Sequence, residues 1–180
     1  MHADIKEILI TEEQIKNRIC ELGVELLRDY ADKCPVFVGV LKGVVVFYAD
    51  MIRAFDAPCQ LDFMWISSYQ GTQSTGVMQV RHDVSPHLAG RHVVILEDIL
   101  DTGRSLTFTR DHLLSKGAAS VKICTLLDKP EGRLPGYDIK ADYVGFTIPN
   151  AFVVGYGLDY NEKYRNLPYV GILKPEVYEK

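Results

Sequence analysis

Apolar residues recur with helical spacing along the first third of the chain. Thr11 and Gln14 form a capping-box pattern. The apolar positions that follow share one helical face: Ile15, Ile19, Leu22, Leu26, Leu27 and Tyr30. This spacing predicts an amphipathic helix over about residues 12–32. An apolar run over residues 35–41 then predicts a strand and a tight turn, and a second helical pattern from Val44 onwards predicts another helix.

Strand patterns dominate the remainder of the chain. Residues 60–67 and 77–84 flank a polar stretch without any large aliphatic side chain, which predicts an antiparallel hairpin with a long loop. Further strands are predicted over residues 92–97, 120–127, 142–147 and 169–173. A helix over about residues 102–116, ending near Gly117, separates the first two of these strands. Strands that alternate with helices predict a doubly wound, mainly parallel α/β sheet, and the absence of a linker or repeat predicts one domain over residues 1–180.

Composition narrows the classes of partner. The chain of 180 residues is 47% hydrophobic and 24% charged, as expected for a globular fold with a sizeable core. Its net charge of -4 provides no basic excess for nucleic acid or an anionic membrane, so we expect small molecules or further copies of the chain as partners. The four cysteines include no C-x-x-C pair, which argues against a zinc cluster or a disulfide framework. Without a signal peptide or an apolar span, a cytoplasmic location is expected.

The stretch VVILEDILDTGRSL, residues 93–106, places three carboxylates at the end of an apolar strand. Ligands of open α/β sheets bind at the carboxyl ends of the strands. Glu97 and Asp98 suit the vicinal hydroxyls of a ribose or a Mg2+ ion, provided that a turn brings both towards one ligand. The small, hydroxyl-rich loop over residues 101–105 leads into a helix, whose N-terminus favours a phosphate. The pattern therefore predicts a site for a phosphorylated pentose; the alternative is a solvated acidic turn in which Asp101 or Thr102 only caps the helix.

These residues resemble the phosphoribosyl pyrophosphate signature of type I phosphoribosyltransferases. Further segments resemble the hypoxanthine-guanine phosphoribosyltransferase branch and occur in its order: LKG at 41–43, SSYQGTQSTG at 67–76, Lys129, and IPNAFVVGYGLDYNEKYRNLP at 148–168. The resemblance implies a doubly wound, mainly parallel sheet flanked by helices, with a small hood formed by the terminal segments. It also implies that the chain joins a 6-oxopurine to phosphoribosyl pyrophosphate in the presence of Mg2+, forming a nucleoside monophosphate and pyrophosphate. Homodimers or homotetramers occur in the family.

The resemblance also implies a role for each site residue. Asp101 would be catalytic, as the acceptor of the purine proton. Ribose and its 5'-phosphate would be bound by Glu97, Asp98, Asp101, Thr102, Gly103, Arg104, Ser105 and Leu106. Pyrophosphate would be bound by Lys42, Gly43, Ser68, Tyr69 and Arg165, with a cis peptide before Lys42. The purine would be bound by Lys129, Phe152, Val153 and Asp159. The metal ligands would be Glu97, Asp98 and Asp159. Residues 67–76 would form a mobile lid, which excludes water from a reactive ribosyl centre.

Each role has a simpler alternative at the level of sequence. Lys42-Gly43 also fits an ordinary turn, Arg165 a surface salt bridge, Lys129 a solvated lysine and Phe152 a core aromatic. Two other functions remain open as well: a phosphoribosyl pyrophosphate-sensing regulator that binds nucleic acid, and a phosphoacceptor signalling domain. The proton acceptor, the lid and the pyrophosphate arginine, together with the absence of a basic stripe, favour the enzyme over the regulator. A signalling domain would not require the TGRS phosphate loop or the aromatic FVV segment.

Overall fold

A mainly parallel sheet forms the centre of the molecule. The computed structural model describes residues 2–68, 78–85 and 87–179. Its elements follow in this order: β1 (Ile5–Ile10), α1 (Glu12–Tyr30), β2 (Val36–Leu41), α2 (Val45–Ala54), β3 (Gln60–Ser68), β4 (Met78–His82), β5 (His92–Leu100), α3 (Arg104–Ser115), β6 (Ser120–Asp128), a 3-10 turn (Pro130–Gly132), β7 (Tyr143–Thr147), β8 (Val153–Val154), β9 (Val170–Leu173) and α4 (Pro175–Tyr178). The central sheet has the strand order β4-β3-β2-β5-β6-β7, with an antiparallel edge strand β4 and parallel pairing from β3 to β7.

Helices cover both faces of this sheet, which confirms the predicted doubly wound class. Val94 and Leu96 of β5 pack into a core with α1 and α2, whereas Val93 and Ile95 pack into a second core with α3. Burial on both faces explains why β2 and β5 read as continuous apolar runs. Because β2, β5 and β6 are parallel, their carboxyl ends meet at one edge of the sheet, where a ligand is expected. Among the described helices, none combines the length and apolarity that crossing a bilayer requires.

Local signals place the first helix and the predicted hairpin correctly. Thr11 caps α1 through the predicted capping box, in which its Oγ1 accepts a hydrogen bond from the Gln14 backbone N–H at 3.2 Å. The helix ends at Tyr30, two residues before the predicted end. β3 and β4 pair in antiparallel fashion, as predicted. The predicted lid begins within β3, and its remaining residues 69–76 lie outside the described part of the chain.

The terminal segments form a second, smaller sheet in the order β1-β9-β8, which is the predicted hood. Both of its pairs are antiparallel, and Ile5, Val154 and Leu173 form its buried centre. Periodicity alone did not identify β1 or the two-residue strand β8. Their apolar runs are too short to distinguish a strand from a loop.

Candidate active site

The predicted phosphate loop lies between β5 and α3. Gly103 is the N-cap of α3 and has a φ of +84°, a conformation that favours glycine. A cavity of ≈ 230 Å³ opens over the loop and is lined by Glu97, Ile99, Leu100, Asp101, Thr102, Gly103, Ser105 and Leu106. The N–H groups of the first helical turn and the helix dipole suit this cavity to an anion. The N-cap of the helix is Gly103 rather than Asp101 or Thr102, although Thr102 Oγ1 accepts a hydrogen bond from the Arg104 backbone N–H at 3.4 Å.

Glu97 and Asp98 are strand residues. β5 continues to Leu100, beyond the predicted end at residue 97, so the turn expected at the two acids is wrong. Neighbouring residues of a strand face opposite sides, but these two carboxyl groups still contact each other, since a side-chain hydrogen bond between them affects the pKa of both. Glu97 lines the phosphate-loop cavity. Asp98 lies against the loop after β2, where a Cβ added to Gly43 would overlap Asp98 Oδ2.

Burial dominates the electrostatics of these two acids. Burial and the neighbouring Asp98 carboxylate raise the pKa of Glu97 well above its ordinary value. Burial also raises the pKa of Asp98 to about 6, against the opposing effect of the Ile99 N–H, which donates to Asp98 Oδ1 at 2.9 Å. Glu97 Oε2 is buried without a hydrogen-bond partner among the described residues. A pair of buried carboxylates with a spare oxygen fits a cation together with hydroxyl donors.

The third acid of the motif, Asp101, lines a second cavity as well as the phosphate-loop cavity. A cavity of ≈ 170 Å³ is lined by Ile99, Asp101, Lys129, Ala151, Phe152, Val153 and Leu158. It unites the predicted proton acceptor with three of the four predicted purine-binding residues. Lys129 Nζ lies 2.8 Å from Asp101 Oδ2, and the Lys129 side chain is only 11% exposed. Lys129 is therefore a buried, paired cation, and its interpretation as a solvated lysine is wrong.

Phe152 presents an aromatic ring at the mouth of this cavity. The residue is 38% exposed, so it is not an ordinary core aromatic. The ring stacks on Tyr178 of α4 with centroids 4.8 Å apart and an interplanar angle of 18°. Tyr160 meets the same ring edge-on at 5.6 Å. Phe152 thus adds an aromatic ring to the cavity that Asp101 and Lys129 also line, and a planar base could stack on such a ring.

The loop after β2 packs against the segment that follows β8. The Leu41–Lys42 peptide bond is cis, as the resemblance implies. A Cβ added to Gly157 would overlap the Gly43 carbonyl oxygen, so the two backbones are in close contact. Lys42 Nζ also lies 3.1 Å from Glu162 Oε1 in the same segment. Lys42 and Gly43 are thereby held beside the buried Asp98.

Arg165 is anchored within that segment. Its Nη1 donates to the Gly157 carbonyl oxygen at 2.8 Å, and its Nη2 lies 2.8 Å from Asp159 Oδ1. The Glu162 backbone N–H donates to the second oxygen of Asp159 at 2.9 Å. Arg165 Nε is buried without a partner among the described residues. The predicted pyrophosphate arginine and the predicted metal-binding acid thus form one ion pair, which leaves a guanidinium N–H available for a further acceptor.

Several residues of this site were not predicted from the sequence. Glu162 pairs with both predicted pyrophosphate-binding cations. A Cβ added to Gly132 would overlap Asp101 Oδ1, and Arg133 binds the backbone on both sides of the purine cavity. The sequence signal that could have identified Gly132 and Arg133 is the Pro-x-Gly turn directly after Lys129. Of the predicted site residues, Ser68 contributes backbone to β3, and Tyr69 lies outside the described residues.

Comparisons with known proteins agree with this geometry. A sequence model of the phosphoribosyl transferase domain matches residues 6–161. The chain is 53% identical over 176 residues to hypoxanthine-guanine phosphoribosyltransferase of Streptococcus pneumoniae R6, covering 97% of each chain. A crystal structure of hypoxanthine phosphoribosyltransferase from Staphylococcus aureus superposes with a TM-score of 0.94 at 51% identity, covering 100% of this chain and 97% of that one. The Trypanosoma cruzi enzyme in complex with the product IMP superposes with a TM-score of 0.91 at 40% identity, covering 99% of each. The chain belongs to the phosphoribosyl transferase family and, within it, to the hypoxanthine-guanine phosphoribosyltransferases.

Proposed function

We propose that the protein transfers the phosphoribosyl group of 5-phosphoribosyl 1-pyrophosphate to a 6-oxopurine, hypoxanthine or guanine or both. The products are IMP or GMP and pyrophosphate, so the reaction salvages free purine bases. The observation that carries this proposal is the position of Asp101, which lines both the purine cavity and the adjoining phosphate-loop cavity. The Asp101 carboxylate therefore borders both the proposed ribose-phosphate site and the proposed purine site, and the bond between ribose and base would form where these sites meet.

On the purine side, Asp101 accepts the proton that the base loses from N7 as its N9 attacks C1 of the ribose. Lys129 donates a hydrogen bond to O6, which favours 6-oxopurines because the amino group of adenine is itself a donor. Phe152 stacks on the base, and the Val153 backbone binds its edge. The ion pair between Lys129 and Asp101 has to open when the base enters, since both atoms of the pair face the same cavity.

On the ribose side, the phosphate loop from Thr102 to Leu106 binds the 5'-phosphate through its N–H groups and hydroxyls. The buried oxygens of Glu97 and Asp98 accept hydrogen bonds from the ribose hydroxyls. Both acids, together with Asp159, would hold Mg2+, and the unpartnered Glu97 Oε2 supports this assignment. Among the described residues, no group of three or more acids, histidines or cysteines is arranged to hold a metal, so substrate oxygens and water would supply the remaining ligands of this ion. Bound Mg2+ supplies compensation for the negative charge of the leaving pyrophosphate.

The leaving group is bound by Lys42, Gly43 and Arg165. The guanidinium fork of Arg165 suits phosphate oxygens, and its unpartnered Nε supports such a contact. We include Ser68, Tyr69 and the lid over residues 67–76 in the proposal because a ribosyl centre with oxocarbenium character needs protection from water. We also propose that the chain forms a single domain, assembles as a homodimer or homotetramer and is located in the cytoplasm.

The alternative function, a phosphoribosyl pyrophosphate sensor that binds nucleic acid, gains no support from the relatives, which carry the names of enzymes. The two functions are separated by mixing the protein with Mg2+, phosphoribosyl pyrophosphate and, in turn, hypoxanthine, guanine, xanthine and adenine. We expect nucleotide from hypoxanthine or guanine and little from adenine, measured by ultraviolet absorbance. Absence of product with every 6-oxopurine, while phosphoribosyl pyrophosphate still binds, would favour the sensor.

A further inference from the structure

One guanidinium connects the backbone on the two sides of the purine cavity. Arg133 Nη1 donates to the carbonyl oxygens of Leu100 at 2.7 Å, Asp101 at 2.6 Å and Lys129 at 3.1 Å. Its Nη2 forms an ion pair with Asp128 at the end of β6. The Arg133 side chain is 17% exposed and that of Asp128 is 18% exposed, so these contacts are largely shielded from water.

The turn that carries Arg133 also fits closely around the acid of the cavity. The Gly132 N–H donates to the Lys129 carbonyl oxygen at 3.0 Å and closes the 3-10 turn. A Cβ added to Gly132 would overlap Asp101 Oδ1 and lie 2.9 Å from Lys129 Cε. The carboxylate of Asp101 is therefore packed against a position that accepts only glycine without displacement. Arg133 holds the backbone of Asp101, and Gly132 makes room for its side chain.

We propose that Arg133 is a positioning residue, whose guanidinium holds the Asp101 and Lys129 backbones in one fixed arrangement so that proton acceptor and O6 donor meet the same purine. The inference rests on the proposed function and deepens it. A lysine at this position offers one ammonium in place of a planar fork and cannot reach all of these acceptors with the same geometry. Without the guanidinium, the loop between β5 and α3 and the turn after β6 remain joined by the ion pair between Lys129 and Asp101 and by backbone contacts, such as that of the Lys129 N–H with the Leu100 carbonyl oxygen at 3.0 Å. These contacts leave the Asp101 carbonyl oxygen without its arginine donor.

Misplacement of a catalytic group by about 1 Å can cost roughly 100-fold in rate. We therefore expect Arg133→Gln to lower the single-turnover rate of nucleotide formation by about 10- to 100-fold. Arg133→Lys should recover part of that loss, because it retains the charge that pairs with Asp128. The affinity for phosphoribosyl pyrophosphate, measured by calorimetry with Mg2+ in the absence of a purine, should change by less than about threefold, because Arg133 donates to carbonyl oxygens, whereas the proposed phosphate-binding groups are N–H groups and hydroxyls. Single-turnover conditions are needed because product release limits kcat in many enzymes.

The matched control is Arg28→Gln, which makes the same substitution at a 72% exposed arginine of α1 and should leave both quantities unchanged. Should Arg133→Gln fail to fold, Gly132→Ala tests the same arrangement through the Asp101 side chain, with Glu131→Ala in the same turn as its control. A folded Arg133→Gln protein with the wild-type single-turnover rate overturns the inference, as does a Gly132→Ala protein of unchanged rate. A parallel loss of rate and of phosphoribosyl pyrophosphate affinity also overturns it, since that pattern indicates general damage to the site. If the wild-type protein itself forms no nucleotide, the proposed function fails first, and the two failures are thereby distinguished.

Discussion

Asp101→Asn tests the central chemical assignment, because it replaces the proposed proton acceptor by an amide of almost the same size. General base catalysis contributes about 10²- to 10⁴-fold to a rate, which corresponds to roughly 3–5 kcal/mol of barrier. We expect a loss of single-turnover rate within this range. Product binding should behave differently: N7 of IMP is an acceptor, and the amide introduced by the substitution can donate to it. The affinity for IMP should therefore be unchanged or higher.

The same substitution has a calculable effect on stability. Lys129 is 11% exposed and loses the charge of its partner, whereas Asp101 is 40% exposed and is partly screened by water. A hydrogen bond between charged groups contributes about 1.5–3 kcal/mol. The oxygen of the new amide still accepts from Lys129 Nζ, so we expect a loss of about 1 kcal/mol in the free energy of unfolding. For a chain of this length that corresponds to a Tm lower by roughly 2–4 °C.

Both effects are measured with the same preparations. Rapid mixing of excess enzyme with phosphoribosyl pyrophosphate and limiting hypoxanthine gives the rate of IMP formation, titration with IMP gives the product affinity, and calorimetry gives Tm. Asp111→Asn, at a 58% exposed position on α3, is the matched control. A rate within about threefold of wild type would refute the role of Asp101 as proton acceptor, since even weak base catalysis contributes about 100-fold. A loss of IMP affinity as large as the loss of rate would assign Asp101 to binding instead.

Three further substitutions separate the remaining roles. Lys129→Gln should lower kcat/KM for hypoxanthine about 10- to 100-fold and reduce its preference over adenine, because a charged donor to O6 is lost; an unchanged preference would contradict that role. Tyr178→Ala should raise KM for hypoxanthine about two- to tenfold through the loss of stacking on Phe152, and Tyr178→Phe should not. Burial raises the pKa of Asp98 to about 6, so the folded protein binds this proton more tightly than the unfolded chain and stability falls as pH rises from about 4 to about 6. Asp98→Asn should flatten this fall and raise Tm at a pH of about 7.5, and parallel curves for the two proteins would exclude the effect.

The fold was predictable because its apolar patterns are long. The capping box at Thr11 fixed the start of α1, and the continuous apolar runs of β2 and β5 indicated strands buried on both faces. The carboxyl ends of such strands meet at one edge, and this rule alone brings Lys42, Asp101 and Lys129 into one region. Strands β1 and β8 of the hood could not be predicted from periodicity, for a different reason. β8 has two residues, and its pairing with β9 depends on contacts that are distant along the chain.

The end of β5 could not be placed from the sequence for a physical reason. Acidic residues are almost never fully buried without partners, so Glu97 and Asp98 indicate the end of a buried strand. The strand nevertheless continues through both of them to Leu100. Their burial disfavours the charged form, as the raised pKa of each carboxyl reflects. A rule that holds for structural residues fails here, and the proposed function accounts for the failure, because it places these two carboxylates against a ligand inside the fold.

The structure confirms the sequence interpretation of Arg165 as a salt-bridge partner, whereas its interpretation as a phosphate-binding group stays a prediction for the proposed complex. Arg165 pairs with Asp159, and Lys42 pairs with Glu162. The Lys42 and Glu162 side chains are 54% and 66% exposed, and such a pair contributes only about 0–1 kcal/mol. A pyrophosphate with several negative charges can therefore replace Glu162 at little cost in free energy. Until the pyrophosphate binds, Glu162 keeps the Lys42 and Arg165 side chains oriented. Ion pairing in the free protein is therefore no argument against pyrophosphate binding by these cations. The weaker ion pair is the one in which pyrophosphate replaces the carboxylate first.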